Sequence, residues 1–565
     1  MLLLATMFVG QVGAYDFKKN GLCYTITSDS TVEVTYYEKY YRLSKITIPQ
    51  SVKYKHKNLT VTGIGDYAFF ECYNLYSIVI PNSVTSIGEE AFNSCENLKT
   101  IDLPQSVTKI GSGAFRACHS LTEITIPNGV TRIEDETFRC CYELSSVVIP
   151  NSVRSIGWGS FVYCSNLLTV NLPEGLTTIG NGSFANCYDL TTVTIPQSVT
   201  KIDTGAFYDC RSLSSIVIKD ANISVSGYTF DDDGISTFVN LPDSIDEIAF
   251  ISFYGCKSLT KVIIPKSVKC IGDKAFYRCE NLTSINIPDG VTSIGEEAFS
   301  GCVNLSSIII PNSITNMGNG TFRNCKSLVS VTLPESTIPI DNMFSGCTSL
   351  ASLTIPKEIT KIGSNAFRGM KALKSITLPS GLKEIGEGAF FDCDGLDSIV
   401  IPNSVTSIGK MAFYNCNQLS SIVMPDSITS IEDYSFYGCR KITSITIPDG
   451  VTSIGEYSFY DCKELDSITI PYGVTNINQS AFCNCSKLTS IVIPPTITHI
   501  ESCAFLNCES LTTITISEGV TSIGASAFQN CRKLKDVSIP NSVTSVGKNA
   551  FRGCIFEFEN YSSGN

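Results

Sequence analysis

The side chains of this 565-residue sequence that could carry chemistry are three histidines, 25 cysteines and scattered carboxylate pairs. His119 and His499 stand sixteen repeats apart in the periodicity set out below, and His56 precedes that periodicity. A metal cluster or a nucleophile–base–acid triad needs its members in mutual contact, so these histidines build neither. Glu89-Glu90 and similar pairs occupy variable positions and read as solvated faces rather than acid/base couples. The run Asp231-Asp232-Asp233-Gly234 has the charge for calcium but not the ligand spacing of a calcium loop, and reads as a solvated, irregular stretch. No Cys-x-x-Cys pair is there to hold zinc, and no GxSxG, HExxH, Walker-type or dinucleotide fingerprint appears. The expectation is a chain without catalytic, cofactor or metal sites, and not an enzyme.

What positions these residues is a repeat. Phe recurs every 23 residues from Phe69 through Phe92, Phe115 and on to Phe322, then, after one 22-residue step, from Phe344 through Phe413 to Phe551. That makes 22 copies, and 20 of them carry Cys three residues after the Phe, as in Cys95, Cys118 and Cys416. Leu follows at the sixth position, then an alternating β-branched stretch such as Ile124-Thr125-Ile126 that ends at Pro, which cannot continue a ladder. A second apolar pair such as Val84 and Ile87 reads as a short extended arm, and Gly88 as the residue that permits the next turn. The segment around the Phe is too short for a crossover helix and is expected to form a single helical or 3₁₀ turn, with Phe92, Cys95, Phe115, Cys118, Phe413 and Cys416 pointing inward as a structural ladder.

One coil cannot bury its own apolar side, whereas stacked coils bury a continuous core. The fold class expected is therefore a β-rich, leucine-rich-repeat-like solenoid of about 22 coils of 23 residues with short parallel strands. At about 4.8 Å per coil it would form an elongated, curved or twisted rod on the order of 100 Å long. Residues 15–57 read as an N-terminal cap, 58–554 as the solenoid with irregular coils near 219–241 and 335–344, and 555–565 as a C-terminal tail. In the first irregular coil Lys219 replaces the Pro, Asp233 the Cys and Ser236 the Leu.

The cysteines do not read as a disulfide framework. Residues at one phase of stacked coils have Cβ atoms about 4.8 Å apart, against the roughly 3.8 Å of a disulfide, so small buried free thiols fit better. Cys140 beside Cys141 and Cys483 near Cys485 read as chance neighbours, and a ladder of free thiols points to reducing or anoxic surroundings.

Composition narrows the partners. Charged residues make up 17% of the chain, and 41 basic against 53 acidic residues leave a net charge of −12. An acidic surface disfavours nucleic acid and anionic lipid. Residues 1–14, MLLLATMFVGQVGA, resemble a signal peptide ending at Val12-Gly13-Ala14, without the usual basic start. A start codon placed too late accounts for that gap, and a buried strand is the other reading. No further run of about 18 apolar residues offers a membrane span.

The outward positions of the main strand form the candidate binding face: Ser77, Thr100, Thr125, Thr194, Ser307, Ser330, Ser375, Thr377 and Thr446. It reads as flat, hydroxyl-rich and nearly uncharged, with no aromatic stripe for sugars and no basic patch for anionic glycans.

The pattern CxxLxxIxIPxxVTxIGxxAFxx, with LxxIxI in place of the leucine-rich core LxxLxL, resembles the BspA-like, type 5 leucine-rich repeats over roughly residues 58–554. It lacks the Asn column that the general leucine-rich pattern places after the strand. The resemblance implies a surface or secreted protein, and several family members are associated with adhesion to matrix proteins or cells. The expectation drawn from it is an exported, adhesin-like protein with extracellular protein partners. A self-associating spacer or coat component, and recognition of a lattice or glycan by the Ser/Thr columns, are the alternatives.

Overall fold

The described 23-residue copies fold into the coils of a β-solenoid of about 20 coils with almost no helix. The computed structural model describes residues 15–218, 238–240 and 245–555. The leader at 1–14, the positions Lys219, Phe230, Asp231, Asp232, Asp233, Gly234 and Ser236, and residues 556–565 of the tail lie outside the described residues. The chain divides into two compact units, residues 1–302 and 303–565.

The coil of Phe115 shows how sequence becomes shape. Its strand Glu123–Thr125 buries Ile124 and exposes both neighbours, the alternation that the pleat imposes. Pro127 ends the strand, and its carbonyl accepts the Val130 N–H at 3.1 Å to turn the corner into the arm Arg132–Ile133. Both strands pair in parallel with their copies 23 residues on, Ile124 with Val147 and Ile133 with Ile156. The register is fixed because a one-residue slip would turn every buried Ile to water.

The single turn expected around the Phe is present as hydrogen-bonded closures rather than as a helix. Cys95 N–H donates to the Phe92 carbonyl at 3.1 Å and Asn93 N–H to that of Glu90 at 3.0 Å. The N–H groups of Glu90, Phe92 and Ser94 instead reach the following coil, at Ser112, Ala114 and Arg116, over 2.8–2.9 Å. Left-handed φ values of 47° at Glu90 and 60° at Ser94 produce this alternation. The same two positions are left-handed in coil after coil, and the second is often Asn, as at Asn186, Asn415, Asn484 and Asn507. Asn tolerates that conformation better than most residues because its short side chain bonds locally.

Gly88 has a different role from the one expected of it. It is absent from the left-handed positions; a Cβ there would lie 2.4 Å from Asp66 Oδ1 and 2.5 Å from Asp66 N. Glycine is needed because coils approach closely at that corner, not for backbone freedom.

The ladder Phe residues are buried and stacked. Ring centroids in the first unit are 5.2–5.8 Å apart from Phe69 to Phe299, and in the second 5.2–6.4 Å apart from Phe322 to Phe551. Two departures are informative. Phe207 stacks directly on Phe253 at 5.8 Å, 46 residues on, while on the strand side Ile216 pairs with Val239 and Val239 with Val262. In the 22-residue coil the Phe344 ring stands 6.0 Å from Phe322 and 6.4 Å from Phe367. At the N-terminal side of the array Tyr40 lies 5.3 Å from Phe69, and its hydroxyl accepts the Cys23 N–H.

Removing one rung should loosen its neighbours first, because stability in stacked repeats is local and nearest-neighbour. Phe413→Ala should cost about 3–5 kcal/mol in its own segment. Hydrogen exchange should rise in the coils of Phe390, Phe413 and Phe436 and stay unchanged in the coils of Phe505 and Phe528.

Candidate functional site

The columns that face water are of two kinds, and the distinction rests on what their polar groups already bind. Thr122 Oγ1 donates to the Lys99 carbonyl at 3.3 Å and Ser145 Oγ to that of Thr122 at 3.1 Å, and in the arm Thr85 and Thr521 do the same to Thr62 and Thr498. These hydroxyls are committed to the coil beneath. The outward residues of the main strand are not. Thr100, Thr125, Ser307, Ser330, Ser375, Thr377 and Thr446 are exposed, Ser77 and Thr194 half-buried, and none makes a side-chain hydrogen bond to another described residue. In the second unit Ser398 pairs with Ser421 and Ser444 with Ser467, so the free hydroxyls stand one per coil. The face is less polar than its sequence implies: Ile309, Val400, Val423 and Val492 are 55–70% exposed on it.

An aromatic stripe that was not expected runs along the turn side of the second unit. Phe391, Tyr414, Tyr437 and Tyr460 each follow a ladder Phe by one residue and stack at 4.5–4.7 Å with planes within 4°. Beside them Tyr434 and Tyr457 stack at 4.9 Å, in contact with Tyr437 and Tyr460. The first unit has a shorter version in Tyr208, Tyr254 and Tyr277. Its signal in the sequence is a second 23-residue column, one residue after the ladder Phe. Each ring covers its neighbour's face, so the stripe shows solvent its edges and hydroxyls.

The cysteine column does more than fill space. Cys118 Sγ donates to the Phe92 carbonyl at 3.2 Å, and the same thiol-to-carbonyl bond recurs from Cys95 to Cys554. All 25 cysteines are free. Burial pushes the Cys118 thiol up to about 12, as it does Cys347, and raises Cys141, Cys164 and Cys210 further. Met370 replaces one of the Cys and has no S–H to offer the Phe344 carbonyl, and this is where the ladder spacing is widest, 6.4 Å. His119 stacks on Tyr142 at 4.8 Å, and His499 Nδ1 lies 2.8 Å from Thr498 Oγ1.

The thiols set a pH window. An unfolded thiol ionises near pH 8.5 and the buried Cys118 only near about 12, so between those values the unfolded chain releases protons that the folded chain retains. Stability should be flat up to about pH 8.5 and then fall by roughly 1.4 kcal/mol per pH unit for each ladder thiol in the unfolding segment. Urea midpoints measured across that range check this, and Cys118→Ala/Cys141→Ala should give a shallower fall. Alkylation without reductant should modify few column thiols in the folded chain and most of them after denaturation; widespread disulfides would contradict the stacking geometry.

Comparison with known proteins places this architecture. The description "BspA type Leucine rich repeat region" matches residues 31–167, 131–256, 246–342, 338–451 and 429–557. No curated protein matches the chain. Among solved structures it is similar to a leucine rich cell surface protein of Faecalibacterium prausnitzii, at 27% identity over 68% of this chain and 94% of that one, with a TM-score of 0.42. A leucine-rich repeat protein of Bacteroides ovatus is 24% identical over 94% of this chain and 100% of its own, with a TM-score of 0.36. A pneumococcal vaccine antigen is 17% identical over 97% and 100%, with a TM-score of 0.33. With nearly every coil covered by the repeat description, the chain belongs to the BspA-type leucine-rich repeat family.

Proposed function

We propose that this is an exported, surface-associated protein that binds other proteins non-covalently along its repeats and performs no catalysis. The observation that carries the reading is the row of uncommitted hydroxyls on the main strand. The chain uses many of its other surface Ser and Thr groups to tie coil to coil, but leaves those of Ser307, Ser330, Ser375, Thr377 and Thr446 free. One weak contact per coil, repeated in register, sums to avidity that no single coil provides. The resemblance to BspA-like repeats supports the same reading, since that family's members are largely surface or secreted proteins, several of them tied to adhesion. No helix among the described residues is long and apolar enough to cross a membrane.

Purified matrix proteins and intact cell surfaces, presented to the folded chain in a pull-down and then by interferometry, test the proposal. The expected outcome is at least one protein ligand with a Kd of about 1 μM or tighter, weakened when several serines of the strand face become bulky. Absence of any protein binder at that concentration defeats it.

A further inference from the structure

The stripe on the turn side of the second unit has features that ladder-building does not explain. Six aromatic residues, Phe391, Tyr414, Tyr434, Tyr437, Tyr457 and Tyr460, lie together on adjacent coils, all half-buried and none part of the Phe core. Tyr and Arg concentrate at protein interfaces because a rigid ring offers large contact area for little lost freedom. The faces are already covered by neighbouring rings, which rules out a sugar lying flat along the stripe. Its two ends differ. At one, the Arg368 guanidinium sits 4.3 Å over the Phe391 ring and closes the stack. At the other, the column passes from Tyr460 to the buried Cys483, and Asn484 of that next coil bonds the Tyr460 hydroxyl.

The carboxylates beside the stripe are unevenly paired. Asp433 is held by Lys410 at 2.9 Å, and Asp461 by Arg440 at 2.8 Å and Lys463 at 3.5 Å. Glu387 and Glu456, in the same column as Asp433, are exposed with no cation within ion-pair distance among the described residues.

We propose that this stripe is a second contact area beside the serine face, and that it grips a basic partner protein. Arginines of that partner meet the ring edges and hydroxyls that the stripe shows to solvent. Further basic side chains lay their stems across the ring edges and reach Glu387 and Glu456. The assignment rests on the protein-binding reading and adds the place and the chemistry of the partner.

A labelled short peptide alternating arginine and glycine, titrated against the full chain at physiological salt and followed by anisotropy, tests it. Saturable binding is expected, absent for the same peptide with glutamate in place of arginine. Tyr437→Ser/Tyr460→Ser should weaken binding at least about five-fold at an unchanged melting temperature. Tyr437→Phe/Tyr460→Phe, which keeps the rings, should retain it, and Glu387→Gln/Glu456→Gln should weaken it without touching a ring. The strand-face variant Ser421→Ala/Ser444→Ala should bind as the parent does. Unchanged binding in the tyrosine-to-serine variant, or a loss confined to the strand-face variant, overturns the assignment. Failure of the arginine peptide while a matrix protein still binds removes the stripe and leaves the broader reading standing.

Discussion

In the regular coils, one carbonyl, that of the ladder Phe, is asked to accept twice. It takes the N–H of its own coil's Cys, closing the turn, and the S–H of the next coil's Cys, fastening the stack; Phe92 does both, with Cys95 N and Cys118 Sγ. A buried carbonyl left half-satisfied is costly, and a thiol reaches it over 3.2 Å while adding only a small apolar group to the core. The contact outlasts disturbances elsewhere in the coil. It spans 26 residues in regular coils, 25 across the short one, from Cys347 to Phe322, and 49 from Cys256 to Phe207. Across both changes of length the Phe–Cys junction keeps its geometry.

That constraint sorts the rest of the surface. Phe, Cys, Leu and the two strand Ile positions are consumed by the core, so variation is confined to columns pointing outward. Many outward Ser and Thr hydroxyls cap carbonyls of the coil beneath, such as Thr512 on Thr489 at 3.1 Å. Among the areas left uncommitted in the described residues are the main-strand row of Ser and Thr and the turn-side stripe of aromatics. Both inherit their spacing from the ladder, which is why side chains of unremarkable type become ordered arrays.

The periodic features were legible because they are what stacking demands. Phe92 and Cys95 recur every 23 residues, and each is fully buried where the repeat places it. What escaped reading depends on distance between coils rather than on order along one. Gly88 was given a turn role because glycine usually serves turns; its cause, contact with Asp66 in the preceding coil, exists only after stacking. The loss of Pro, Cys and Leu at Lys219, Asp233 and Ser236 marks an irregular coil in the sequence, but the direct stacking of Phe207 on Phe253 does not follow from it, since Phe230 keeps the 23-residue beat. Tyr414, Tyr437 and Tyr460 kept a beat too, yet a column becomes a surface only once its rings are known to touch.

The same geometry explains how so many free thiols coexist. Each Sγ is directed at a carbonyl of the coil beneath, and the stacking separation is wider than a disulfide bridges. The thiolate, the form that oxidises or exchanges, is suppressed by burial at Cys118 and more strongly at Cys141. Folded coils are thereby protected by position and by ionisation together, whereas an unfolded coil has neither safeguard. A chain of this kind depends on closing its Phe–Cys junctions before an oxidant finds its thiols, and local stacking favours that order: each coil needs only its neighbour to be in place.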